Sequence, residues 1–225
     1  MYLRRCSVTN SVFELLLATS NPHKVEEATA ILEPLGIKVL KLSGIHAALP
    51  EPVEDQDTFA GNARIKAVYY AQHTGRPCLA DDSGLEVDVL DGRPGVYSAR
   101  YAGVGETRQE RDEANNQKLI GEIMALQQPS PSARFVCCLC LAQPDGRVIA
   151  ETRGHFEGVL TTTPKGDNGF GYDPLLYLPD VDCTSAQLET EVKNNRSHRG
   201  QALRLLAQQL PSLIASELLG SSLRD

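Results

Sequence analysis

The stretch from Phe13 to Leu42 constrains the fold more than any other part of the chain, because its apolar residues change period twice. Phe13 to Ala18, apolar but for Glu14, is of strand length. Asn21 then offers a side-chain oxygen to cap a helix, and Pro22 suits the first helical position, where its missing N–H costs nothing. Val25, Ala28, Leu32 and Leu35 repeat at helical spacing, Gly36 marks a stop, and Ile37 to Leu42 returns to strand character. A second helix is expected over Thr58 to His73, with Phe59, Ala63, Ala67 and Tyr70 as its buried stripe and Asn62 and Lys66 sharing another face. Glu106 to Gln128 reads as a third long helix and Ala133 to Ala142 as a strand. Across the Pro144-Asp145-Gly146 turn, Arg147 to Thr152 can pair back, and His155 to Thr162 reads as a further strand. The last long helix is expected from near Arg199 toward Gln209, interrupted by Pro211. Helices alternating with strands early, and a strand-rich block later, argue for α/β or mixed α/β architecture.

The 225 residues suffice for one sizeable core, and neither an internal repeat nor a clear linker divides them, so one domain with two lobes is the economical reading. At 41% hydrophobic and 23% charged, the composition is that of an ordinary soluble protein. A net charge of -7 argues against binding long nucleic acid but leaves room for a small polyanion in a local basic pocket. Of six cysteines, Cys137, Cys138 and Cys140 crowd one apolar run, where alternation puts Cys138 and Cys140 on one face and Cys137 on the other. They read as small buried hydrophobes in a reducing compartment, with no second Cys/His cluster to complete a zinc site. No apolar stretch is long enough to span a membrane, and Ser7 to Glu14 is too polar for a targeting core, so a cytoplasmic location is expected.

Asp81-Asp82-Ser83-Gly84 is the segment richest in chemistry. Flanked by apolar runs, its acids are expected at a strand end, pointing to opposite faces so that one of the two enters a given site directly. Glu54, Asp81 and Asp82 could give magnesium its hard oxygen ligands alongside substrate phosphates, or the two aspartates could cap a turn. Thr19-Ser20-Asn21-Pro22-His23-Lys24 joins a strand to a helix, where free N–H groups, hydroxyls and an ammonium suit phosphate. A capped surface turn with a solvated lysine is the simpler local reading. Neither a Walker A loop nor a dinucleotide fingerprint is present. Lys66 projects from the helix it shares with Asn62, where a surface charge is its simplest role. The basic cluster from Lys193 through Arg196 and His198 to Arg199 precedes a helix whose dipole it opposes. In the glycine-rich loop from Thr163 to Pro174, Phe170 could stack on a nucleobase and Asp173 could accept a hydrogen bond from it. A loop packed by its own aromatics, Phe170 and Tyr172, fits equally. No nucleophile elbow is present, and His46, His73 and His155 lack metal-ligand spacing.

Taken in order, these segments resemble the inosine triphosphate pyrophosphatase family. The resemblance runs from about Phe13 to Leu210. Its pieces are Leu17 to Asn21 with Lys24, Thr58-Phe59 with Asn62-Ala63 and Lys66-Ala67, Ala80 to Leu90, Pro94 to Tyr101, Gly169 to Pro174, and Ser197 to Leu203. It implies an elongated mixed central sheet with flanking helices, two lobes around a cleft, and a homodimer. A single catalytic domain at 13–210 would lie between a short extension at 1–12 and a tail at 211–225. The implied activity is magnesium-dependent hydrolysis of ITP, dITP and XTP to the monophosphate and pyrophosphate, which cleanses the nucleotide pool. By position, Thr19, Ser20, Asn21, Pro22, His23 and Lys24 would bind the triphosphate, with Ser83 contacting substrate. Glu54 and Asp82 would hold magnesium. Asp82 would accept the water proton, Asp81 would support that corner, and Lys66 and Lys193 would neutralise phosphate charge. Phe170 would stack on the purine in a pocket completed by Gly171, Tyr172 and Asp173, while His198 and Arg199 would read its oxygen at position six. Ser20 stands where many relatives have glycine, and Arg196 where an apolar residue is common. A Maf-like pyrophosphatase and a non-catalytic nucleotide sensor are the competing readings. Substrate preference would separate the first and absence of turnover the second.

Overall fold

The structure, a computed structural model, describes residues 13–45, 49–127 and 130–221; the N-terminal extension with Cys6, residue His46 and the last four residues lie outside them. In chain order the elements are β1 (Phe13–Leu17), α1 (Pro22–Leu32), β2 (Ile37–Lys41), α2 (Phe59–Thr74), β3 (Cys78–Val87), α3 (Arg108–Ala125), β4 (Ser132–Ala142), β5 (Val148–Leu160), β6 (Leu176–Leu178), β7 (Cys183–Thr184), α4 (Thr190–Arg196) and α5 (His198–Ser221). The strands form one mixed sheet in the order β2-β1-β3-β4-β5-β6-β7. β1 runs parallel to both β2 and β3, and every later pairing is antiparallel. The expected α/β class and mixed central sheet with flanking helices are borne out.

The opening β1-α1-β2 unit forms where the periodicity placed it. Asn21 Oδ1 accepts the His23 N–H at 3.1 Å, Pro22 opens the helix, and Val25, Ala28 and Leu32 are buried. α1 leads to β2 on one side of β1, and α2 leads to β3 on the other. This switch of direction opens a crevice outside the carboxyl end of β1, the usual place for a ligand in such sheets. β1 meets β3 only at Leu16–Cys78 and Leu17–Leu79, so from Ala80 onward β3 passes the crevice without β1 beside it.

The two sheet faces are covered differently. Leu79, Cys137, Leu139 and Leu141 pack with Val25, Ala28 and Leu32 of α1 and Ala202, Leu203 and Leu206 of α5. Cys78, Ala80 and Cys140 face Ala63, Ala67 and Tyr70 of α2. Cys138 joins Phe59 of α2, so the three clustered cysteines alternate as expected. A further core, with Leu85, Val87, Leu119, Phe135, Phe156 and Leu176, occupies the end of the long strands nearer α3.

Several expectations need correction. Asp81 and Asp82 are not at a strand end: β3 continues through Asp81-Asp82-Ser83-Gly84, which pair with Leu139, Cys138, Cys137 and Val136 of β4. Gly84 answers to packing, since a Cβ there would lie 2.3 Å from Ser98 Oγ. The two strands expected at Arg147–Thr152 and His155–Thr162 are one strand, β5. Gly154, in the supposed gap, lies where a Cβ would come 2.1 Å from the His198 carbonyl, so it lets α5 close on the sheet. Pro211 does not end the last helix, which runs on to Ser221. Leu213 and Ile214 beyond it pack on the core, and this burial offsets the lost backbone bond. α1 stops at Leu32, and Leu35 lies in a separate 3₁₀ turn, 55% exposed. The basic cluster does not wholly precede the last helix, because His198 and Arg199 already lie in its first turn, while Lys193 and Arg196 belong to the short α4.

Candidate active site

Asp81 and Asp82 anchor two charge clusters on opposite faces of β3. On the α1/α5 face, Asp81 Oδ2 takes Lys24 Nζ at 2.9 Å and Arg199 Nε at 3.2 Å. Arg199 also donates to Glu27 Oε2 at 2.9 Å and Ser83 Oγ at 3.0 Å. Burial alone would raise the Asp81 carboxyl, but the Lys24 and Arg199 charges outweigh it and hold it well below the usual carboxylate range. Asp81 therefore stays ionised and locks two cations at the base of the crevice.

On the α2 face, Asp82 Oδ2 accepts from Asn62 Nδ2 at 3.2 Å, and Oδ1 lies 3.5 Å from Lys66 Nζ. Lys66 also pairs with Glu54 Oε2 at 3.1 Å. Burial pushes the Asp82 carboxyl above its ordinary value, against the lowering effect of Lys66 and Lys24. Burial works against the Lys66 charge, but Asp82, Asp81 and Glu54 restore it and raise the ammonium above its ordinary value. Two carboxylates thus converge on one cation, a donor set that suits a hard divalent ion completing its shell with phosphate oxygens and water. Among the described residues, no group of three or more His, Cys, Asp or Glu side chains forms a closed metal cage.

Beside these clusters is a cavity of about 540 Å³. Its lining includes Ser20, Asn21, Pro22 and Lys24 from the turn into α1, and Ser83 and Gly84 from β3. Phe170 to Asp173, Lys193, His198 and Arg199 complete its far side. The glycine-rich loop is held from within: Asp173 Oδ2 accepts the Phe170 N–H at 2.8 Å and Lys193 Nζ at 2.5 Å, while Oδ1 accepts from Ser185 Oγ at 2.8 Å. Gly169 has φ +84° and no room for a side chain, since a Cβ would fall 2.2 Å from both Asp173 Oδ2 and Lys193 Nζ. Tyr172 is buried, its hydroxyl donating to the Ser98 carbonyl at 2.9 Å. His198 stacks on Phe135 with ring centres 5.1 Å apart. Its burial and the nearby Arg199 and Lys193 charges hold it neutral, well below its usual pKa. Its Nδ1 is buried without a hydrogen-bond partner among the described residues.

The fold therefore gathers most of the anticipated residues around one crevice, but in three groups. Thr19 and His23 do not line the main cavity: Thr19 Oγ1 accepts the Asn21 N–H at 3.1 Å and shapes the turn, and His23 stacks against Phe170. Asp81, Asp82, Lys66 and Glu54 also lie outside its lining, beneath or beside it. Arg196 turns away to pair with Asp180 at 2.5 Å. Glu27, Asn62 and Arg108 join these groups without having been singled out for the site. For Glu27 the signal was its place one helical turn after Lys24, and for Asn62 its shared face with Lys66. Arg108, in the first turn of α3, had none.

Comparison with known proteins agrees with this architecture. Residues 15–209 match the Ham1 family. The chain is 48% identical over 197 residues to the dITP/XTP pyrophosphatase of Exiguobacterium sp., covering 88% of this chain and 96% of that protein. It is 47% identical over 195 residues to the dITP/XTP pyrophosphatase of Thermus thermophilus, covering 87% and 90%. Among solved structures, a HAM1 protein from Coxiella burnetii superposes with a TM-score of 0.81 at 38% identity, covering 89% of this chain and 99% of that one. The resemblance drawn from the ordered motifs is borne out, and the chain belongs to the Ham1 family.

Proposed function

We propose that this chain hydrolyses the α–β phosphoanhydride of dITP, XTP and ITP, releasing the nucleoside monophosphate and pyrophosphate. One juxtaposition carries the reading. Asp82, a half-buried carboxylate kept basic, stands next to the Lys66 ammonium and one residue before the lining of a cavity that combines Phe170 with Lys24, Lys193 and Arg199. The activity named for relatives at 47% and 48% identity supports the substrate class.

Ser20, Asn21, Pro22 and Lys24 at the N-terminus of α1 bind the triphosphate in a turn shaped by Thr19, with Ser83 and Lys24 facing it from the crevice floor. Glu54 and Asp82 would hold magnesium, as their convergence on Lys66 fits. Bound there, the ion supplies neutralisation of phosphate charge and polarisation of the phosphoryl oxygens. Asp82 accepts the proton of a water attacking phosphorus in line. Lys66, charged through its three acidic neighbours, stabilises the charge that develops. Asp81 keeps Lys24 and Arg199 in place.

Phe170 stacks on the purine, with Gly171 and Tyr172 shaping the loop. Asp173, both oxygens already engaged, fixes Phe170 and Lys193. Neutral His198, with its unpartnered Nδ1, donates to the oxygen at purine position six in the Nδ1–H tautomer. Arg199, with three N–H groups committed, orients that corner. Adenine would present an amino group to the same donor and leave it unpaired. Guanine shares the oxygen and must be rejected at its two-amino group. The reading also includes a cytoplasmic homodimer and one catalytic domain over 13–210.

A pyrophosphate-release assay with magnesium across ITP, dITP, XTP, ATP and GTP tests this. Pyrophosphate should appear rapidly from the first three and much more slowly from ATP and GTP. Orthophosphate as the product would overturn the cleavage position, and equal turnover of ATP would overturn the base reading.

A further inference from the structure

Arg108 touches both loops that frame the crevice, although it is distant from each in sequence. Its Nη1 donates to Asn21 Oδ1 at 3.0 Å, the atom that caps α1. Its guanidinium carbon lies 4.5 Å from the centre of the Phe170 ring. A planar, delocalised guanidinium can stack on a ring and donate in its own plane at once, which an ammonium cannot.

Two further residues of the first three turns of α3 grip the same loop. Asp112 Oδ2, 3.9 Å from Arg108 Nε, accepts the Gly171 N–H at 3.0 Å, and Asn116 Nδ2 donates to the Gly171 carbonyl at 3.0 Å. Gly171, the residue after Phe170, is thus held through both its N–H and its C=O. The cavities sort the ring's neighbours further. Lys193 and Arg199 line the main cavity, His23 lines a neighbouring one of about 560 Å³, and Phe170 and Arg108 line both. Phe170 is a partition between the two, with His23 stacked at 5.6 Å on the side of the second cavity.

We propose that Arg108 is a positioning residue that couples the Phe170 ring to the turn at Asn21, so that a seated purine aligns the triphosphate. This rests on the reading that Phe170 stacks on the base. Arg108 is 41% exposed, so its replacement leaves the fold intact and the coupling can be measured.

The test compares Arg108→Ala, Arg108→Lys, Phe170→Ala and the Arg108→Ala/Phe170→Ala pair, in kcat/KM for dITP and in inhibition by inorganic tripolyphosphate, which carries phosphates without a base. Arg108→Ala should lower kcat/KM on the order of tenfold, from a lost stack and a charge-assisted hydrogen bond. Arg108→Lys should recover only part. In the Phe170→Ala background the Arg108 change should cost nothing more, and tripolyphosphate inhibition should stay at the wild-type level in Arg108→Ala. Unchanged kcat/KM in Arg108→Ala, additive losses in the pair, or weakened tripolyphosphate inhibition would each overturn the coupling, the last by making Arg108 a direct phosphate ligand. If Phe170→Ala itself retains full kcat/KM, the stacking reading falls and this inference with it. An impaired Phe170→Ala beside an unimpaired Arg108→Ala removes this inference alone.

Discussion

Asp81 and Asp82 share one strand and differ in almost everything else. Asp81 faces α1 and α5, holds Lys24 and Arg199, and is driven further into its ionised form. Asp82 faces α2, receives one amide hydrogen bond and a longer contact from Lys66, and is driven toward its protonated form. The alternation of side chains along β3 produces this separation, since neighbouring carboxylates on one face would have shared the same cations. Environments that push two acids apart divide their labour: one becomes a fixed counter-charge and the other a base with a reason to take a proton.

The largest expected effect breaks the Asp82 side. Asp82→Asn should lower kcat for dITP by about 10²–10⁴-fold, the usual worth of a general base. The variant should melt no lower than wild type. The folded state raises the Asp82 pKa, so its stabilising contribution is present below the unfolded value and is lost as pH rises through the raised one. At neutral pH the ionised side chain is a cost that asparagine removes.

Asp81→Asn should do the reverse, with a stability loss of about 3–5 kcal/mol by urea unfolding, because two cations are left without their shared anion. The Asp81 pKa is depressed, so its stabilisation is complete above the unfolded value and is lost as pH falls through the folded one. The difference between wild type and Asp81→Asn should therefore shrink in acid.

Gly154→Ala sharpens the contrast from a distance. The added methyl would meet the His198 carbonyl and push away the start of α5, which carries Arg199 to Asp81 but does not touch Asp82. A destabilisation of about 1–3 kcal/mol is expected from such overpacking, with a lower melting temperature as the readout. The smallest effect belongs to Asn62→Ala, which removes one hydrogen bond from Asp82 and the acceptor of the Gln56 N–H, and should cost about 1–2 kcal/mol in urea unfolding. It should also raise the Asp82 pKa of the metal-free protein further.

The sequence made the opening of the fold readable because Phe13 to Leu42 carries its own caps and periods. It also fixed the alternation of Cys137 and Cys138, and hence of Asp81 and Asp82, since a period of two survives wherever the strand begins or ends. Strand ends were less legible. Gly84 and Gly154 look like turns in isolation, yet both make room for a neighbour distant in sequence, Ser98 in one case and His198 in the other. The site was legible where a motif brought its own chemistry, as at Lys24, Asp82 and Phe170. Arg108 was not, because its meaning comes from two loops that only tertiary folding brings to it.

The most direct test of this division is a carboxyl carbon-13 NMR titration of the metal-free protein, with the two aspartates assigned through Asp81→Asn and Asp82→Asn. Asp82 should titrate above the ordinary aspartate value of about 3.9, and Asp81 should remain ionised well below it until the fold is lost. Two aspartates titrating together near that value, or Asp81 titrating above Asp82, would contradict the account.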